Sequence, residues 1–133
     1  MGWLLVLFTF LSALYLALPT PHHSYDAVAY PLDVEPAVDT GPSERLWHDY
    51  HILYSPLGYA LQALGGQAGL HPLMTMQMMN ALAGALVARL LAALLLEQTG
   101  SRLLASSSAL ALAFCVSFWY FSPNAPAYVV SVL

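Results

Sequence analysis

The chain has 133 residues, of which 59% are hydrophobic and 8% charged, with no lysine and a formal charge of −4. Soluble domains carry about 25% charged residues, and three long apolar runs cannot be wrapped into a water-soluble core of this size, so a lipid bilayer is the expected solvent. With Arg45, Arg89 and Arg102 as cations there is no basic patch for nucleic acid, and a lone Cys115 excludes both a disulfide framework and a cysteine-built zinc site.

The first apolar run, 3–18, is closed by Pro19 and Pro21 and reaches the lower limit of about 17 residues for a transmembrane helix. A cleaved secretory signal is the rival reading, but the start Met1-Gly2-Trp3 lacks a positive n-region and no small-x-small site precedes Pro19. Residues 19–51 hold Pro19, Pro21, Pro31, Pro36 and Pro42, which predicts a long irregular loop. That segment also holds six of the seven carboxylates and, from His22 to His51, four of the five histidines. A loop of this length is uncommon unless it has a function. A short helix over about 52–64 follows, ended by Gly65-Gly66, with Tyr50, Tyr54 and Tyr59 suited to the headgroup boundary.

The second span is expected over 73–96, where Gln77, Asn80, Gly84 and Ala88 fall on one face as a helix-packing seam. After the polar turn Glu97 to Arg102, a third span runs over 103–121 and is broken by Ser122-Pro123-Asn124-Ala125-Pro126. Residues from Ala127 on read as the start of a fourth apolar helix, so the chain is expected to be the amino-terminal fragment of a longer protein. The predicted fold is all-α: a polytopic membrane protein of three spans plus the start of a fourth, with 19–51 outside. Arg102 in the short turn, with Arg89 snorkelling toward it, makes that turn cytoplasmic. An external loop and the Ser122 break then share the outer face.

Asp26 sits a few residues beyond the first span, at a depth where a carboxylate can be partly desolvated and act as general base toward an acceptor hydroxyl. An ordinary solvated acid is the plain alternative. Trp47-His48-Asp49-Tyr50-His51 joins two imidazoles to a carboxylate, and His48 and His51 at three-residue spacing can share a divalent metal ion if they lie on one helical turn. Hydrogen bonding to a phosphate or a sugar explains the same pair. Arg89 reads as a snorkelling cation, and the methionines from Met74 to Met79 as adaptable packing rather than copper ligands.

The order of these features resembles the amino-terminal part of bacterial multi-pass glycosyltransferase-like proteins of the GT-C superfamily. The resemblance rests on Asp26 after the first span and on His48-Asp49-Tyr50-His51-Ile52-Leu53-Tyr54-Ser55-Pro56-Leu57-Gly58. Asn80-Ala81-Leu82-Ala83-Gly84-Ala85 and Phe118-Trp119-Tyr120-Phe121-Ser122-Pro123-Asn124-Ala125-Pro126-Ala127-Tyr128 complete it. It implies transfer of a sugar from a polyprenyl-phosphate donor at the outer membrane face, with Asp26 as catalytic base. His48, Asp49, His51, Tyr54, Asn124 and Tyr128 are then the substrate-lining candidates. Two places differ from the family pattern: the histidine pair is split as His48-Asp49-Tyr50-His51, and Asn124-Ala125-Pro126 stands where an acid is usual. The alternatives are a non-enzymatic membrane scaffold packing through Gln77, Asn80, Gly84 and Ala88, or an inactive truncated homologue. A secreted metal-binding peptide is a third reading, and it leaves the later spans unexplained.

Overall fold

A computed structural model describes residues 2–20, 24–42, 44–47, 52–126 and 128–130. They form α1 (Gly2–Ala17), α2 (Tyr25–Thr40), α3 (Tyr54–Gly65), α4 (Pro72–Thr99), α5 (Arg102–Ala113) and α6 (Val116–Phe121), with single 3-10 turns at Glu44–Leu46 and Gly66–Ala68. The described residues are all-helical, without a strand.

Helix α4 is the axis on which the rest is hung. Pro72 opens it with a fixed backbone angle, His71 Nδ1 accepts the Leu73 N–H at 3.3 Å, and Gly100 closes it at φ +66°, a conformation that side-chain-bearing residues rarely adopt. Its 28 residues extend over about 42 Å, and among the described helices it alone is long and apolar enough to cross a membrane. Helices α1 and α5, with 16 and 12 residues, are apolar but shorter.

Along the carboxyl-terminal half of α4, small side chains face inward. Ala81, Ala85, Ala88 and Ala92 pack with Ala109 and Ala113 of α5 and against Leu4, Leu7 and Leu11 of α1. Large apolar side chains point outward, among them Val6, 68% exposed, and Leu103, 81% exposed, with Leu5, Leu90 and Leu94. The expected seam through Gly84 and Ala88 is therefore filled by the chain's own helices. At Gly84 a β-carbon would meet Ser122 Oγ at 2.6 Å and Ser122 Cβ at 2.8 Å, so only glycine allows the segment after α6 to come this close.

Two expected elements differ. The run 103–121 is not one helix: α5 ends at Ala113, Phe114 and Cys115 turn, and α6 begins again at Val116. The elbow needs no proline because Tyr15 of α1 donates its hydroxyl to the Ala113 carbonyl at 2.9 Å, satisfying an acceptor that the interrupted ladder leaves behind. The Tyr15 ring also meets Trp119 edge-on at 5.3 Å.

The segment 19–51 is not irregular throughout either, since 25–40 forms α2 with Pro31 and Pro36 inside it. Each proline removes one helical N–H, at a cost of about 3 kcal/mol. Other contacts offset this: Ser24 Oγ caps the Ala27 N–H at 3.3 Å, and Ala27, Tyr30, Pro31, Val34 and Ala37 bury one stripe. The stripe packs on α3 and on the amino-terminal half of α4, where Tyr54, Met76 and Met79 receive it. Gly41 at φ +88° ends the helix, its N–H bonded to the Ala37 carbonyl at 2.9 Å.

After α6 the chain forms a hook, 122–126, that is non-helical yet wholly buried. Buried irregular backbone must find partners for its carbonyls. Asn80 Nδ2 supplies them, lying 2.7 Å from both the Asn124 and Pro126 carbonyls and 3.0 Å from Tyr54 Oη. Tyr54 in turn donates to the Ala125 carbonyl at 2.8 Å, so one amide and one phenol secure three consecutive peptide groups.

Candidate functional site

Along α2 an open cleft of about 400 Å³ is lined by Tyr25, Asp26, Tyr30 and Asp33, with Val28, Ala29 and Leu32 as its apolar part. Helical spacing creates it: Asp26, Tyr30 and Asp33 are four and three residues apart and share a face of α2. The Tyr128 hydroxyl, 102 residues further along the chain, donates to Asp26 Oδ2 at 2.8 Å. The hook aims Tyr128 there, and its ring is braced edge-on against Phe121 at 5.1 Å.

This corner is electronegative. The hydrogen bond to Asp26, then that carboxylate's charge, holds the Tyr128 phenol above its ordinary value. Burial raises the Tyr30 phenol, and the charge of Asp26, the nearby Tyr128 and the charge of Asp33 add to it. At the far side of α2, Glu35 lies 3.8 Å from His71 Nε2 and ties the helix to the start of α4. A hydroxyl group entering the cleft would find carboxylate oxygens able to accept its proton.

Asp26 and Tyr128 are thus brought together, as two of the residues expected at one site. Tyr54 and Asn124 belong elsewhere. Both are buried, and the Tyr54 hydroxyl and the Asn124 side-chain oxygen, which accepts the Ala125 N–H at 2.9 Å, are engaged within the fold. Burial pushes the Tyr54 phenol far above its ordinary range, against a smaller opposing pull from Asn80. In this structure these atoms hold the hook. His48, Asp49 and His51 lie outside the described residues, as do His22 and His23. Among the described residues no three His, Cys, Asp or Glu side chains converge to hold a metal ion.

Of the seam, Asn80, Gly84 and Ala88 are buried, and Gln77 reaches the Thr20 carbonyl at 3.4 Å. Arg89 sits ten residues before the end of α4 with its Nε buried and unpartnered. Tyr25, Tyr30 and Asp33 were not singled out from the sequence. Their signal is the stripe Ala27, Tyr30, Pro31, Val34 and Ala37, whose spacing of three and four marks a helix despite its prolines. Compared with protein-family models, with curated proteins and with solved structures, the chain matches none.

Proposed function

We propose that this protein is a multi-pass protein of the bacterial inner membrane, with the Asp26 cleft at the outer face, and that it transfers a sugar from a polyprenyl-phosphate donor to an acceptor hydroxyl. The observation that carries the reading is an open cleft on α2 whose carboxylate Asp26 is hydrogen-bonded by Tyr128, in a helix bundle whose large apolar side chains face outward. Large-out and small-in is the packing expected where lipid replaces water, since small residues let helices approach and lipid tolerates exposed leucine. In this reading α1, α4 and the α5–α6 pair cross the bilayer.

The proposed reaction is an inverting displacement. The acceptor oxygen forms a bond to the anomeric carbon as the bond from that carbon to the donor phosphate breaks. Polyprenyl phosphate leaves, and the acceptor proton passes to Asp26. His48 and His51 are assigned to positioning the donor phosphate or a metal ion, since an imidazole N–H can donate to phosphate oxygen. Proton removal by a positioned side chain contributes about 10²–10⁴-fold, so Asp26→Asn is expected to reduce transfer by that factor. The measurement is product formation from a lipid-linked sugar in reconstituted membranes, and undiminished transfer refutes the role.

A non-enzymatic scaffold is the second reading. It is favoured by one observation: Asn80, Tyr54 and Asn124, the polar groups nearest the hook, are engaged inside the fold. It predicts that Asp26→Asn leaves the protein's cellular effect intact.

A further inference from the structure

We infer that Tyr128 is the positioning residue of Asp26: its hydroxyl holds Oδ2 of the carboxylate and leaves Oδ1 as the oxygen that receives the acceptor proton. This rests on the transferase reading above. Asp26 is the second residue of α2, next to the unpaired N–H groups of the first helical turn. Carboxylates in that position are drawn toward the helix N-terminus and its positive end. Ser24 already occupies the Ala27 N–H, and the Tyr128 hydroxyl at 2.8 Å gives Asp26 a partner outside its own helix instead.

Tyr128 can do this because it is itself held. Two residues before it, the Pro126 carbonyl is fixed by Asn80, and its ring rests on Phe121. Its single hydroxyl proton goes to Asp26, so it cannot at the same time donate to a ligand. A carboxylate with one oxygen hydrogen-bonded keeps lone pairs on the other, and a fixed orientation matters because small misplacement of a catalytic group costs up to about 10²-fold.

Tyr128→Phe keeps the ring and removes the hydroxyl. In the reconstituted protein the expected result is a fall in kcat of about 10- to 100-fold with the acceptor KM unchanged. A raised KM with unchanged kcat would assign Tyr128 to substrate binding and overturn the inference. A second measurement does not depend on turnover: in protein labelled with ¹³Cζ-tyrosine, Tyr128 should titrate above the ordinary tyrosine value, and Asp26→Asn should bring it back. Tyr30 and Asp33 share this corner, so Asp33→Asn is the control and should leave most of the Tyr128 shift in place. Identical Tyr128 titration in wild type and Asp26→Asn overturns the contact itself. Wild-type protein without turnover on any polyprenyl-phosphate sugar sinks the transferase reading and the catalytic role with it, whereas the titration still decides whether Tyr128 holds Asp26.

Discussion

The two halves of α4 are held by different forces. From Ala81 to Ala92 the helix meets α1 and α5 through alanine and leucine, contacts that are shallow, repeated and tolerant of small shifts. From Pro72 to Asn80 it meets α2, α3 and the hook, and there a few directional bonds do most of the positioning. Dispersion contacts are individually small and spread over many atoms, whereas a buried carbonyl without a partner costs about 1–3 kcal/mol by itself. The carboxyl-terminal half therefore sets where the helices lie, and the amino-terminal half sets where Asp26 and Tyr128 point.

Asn80→Ala should separate the halves most sharply. It strips the Asn124 and Pro126 carbonyls of a shared donor while leaving them buried, so a loss of about 2–6 kcal/mol is expected. Thermal unfolding in detergent micelles would measure it, with the tryptophan signal of α6 tracking the α1–α5 half separately. Pro36→Ala has the opposite sign. This proline is exposed inside α2, and alanine is favoured over proline in a helix by about 3 kcal/mol, so the α2 half should become more stable by up to that amount in the same experiment.

Gly84→Ala tests the joint between the halves. The added β-carbon would push Ser122 and the hook away from α4, and overpacking of this kind costs roughly 1–3 kcal/mol. Its check is the rate at which a cysteine placed at Asn124 reacts with a thiol reagent, which should rise. The smallest effect concerns pH. The raised phenol of Tyr128 means that its neutral, donating form is favoured in the folded protein; that contribution is complete below the ordinary tyrosine value of 10.0 and is lost as pH climbs through the raised one. Alkaline titration should then free the cleft corner while the alanine interface stays intact, and hydrogen exchange in α2 compared with α5 would show the difference.

How much of this was legible in the chain follows the same division. The boundaries of α4 are written in His71-Pro72 and Gly100, and the inward face of small residues is readable from Gly84 and Ala88. Proline misled the reading of α2, because a rule about one missing N–H was weighed above the periodic stripe from Ala27 to Ala37 that tertiary packing rewards. The α5–α6 elbow carries no glycine or proline, and its cause is a hydroxyl 98 residues away, which no local window contains. Ser122 to Pro126 is recognisable as a break, but whether a break is wet or buried depends on Asn80, a single amide in an apolar helix whose purpose is visible only once its partners are in place.

The reach of that amide also has a bearing on biogenesis. The carbonyls it secures lie 44 and 46 residues further along the chain. At ribosomal rates of about 5–20 residues per second, α4 is complete for about 1–5 seconds before they are made. During that interval Asn80 lacks these partners, and a buried amide without a partner is costly. The newborn α4 is therefore the stage at which another carbonyl can take the place that the hook occupies in the finished molecule.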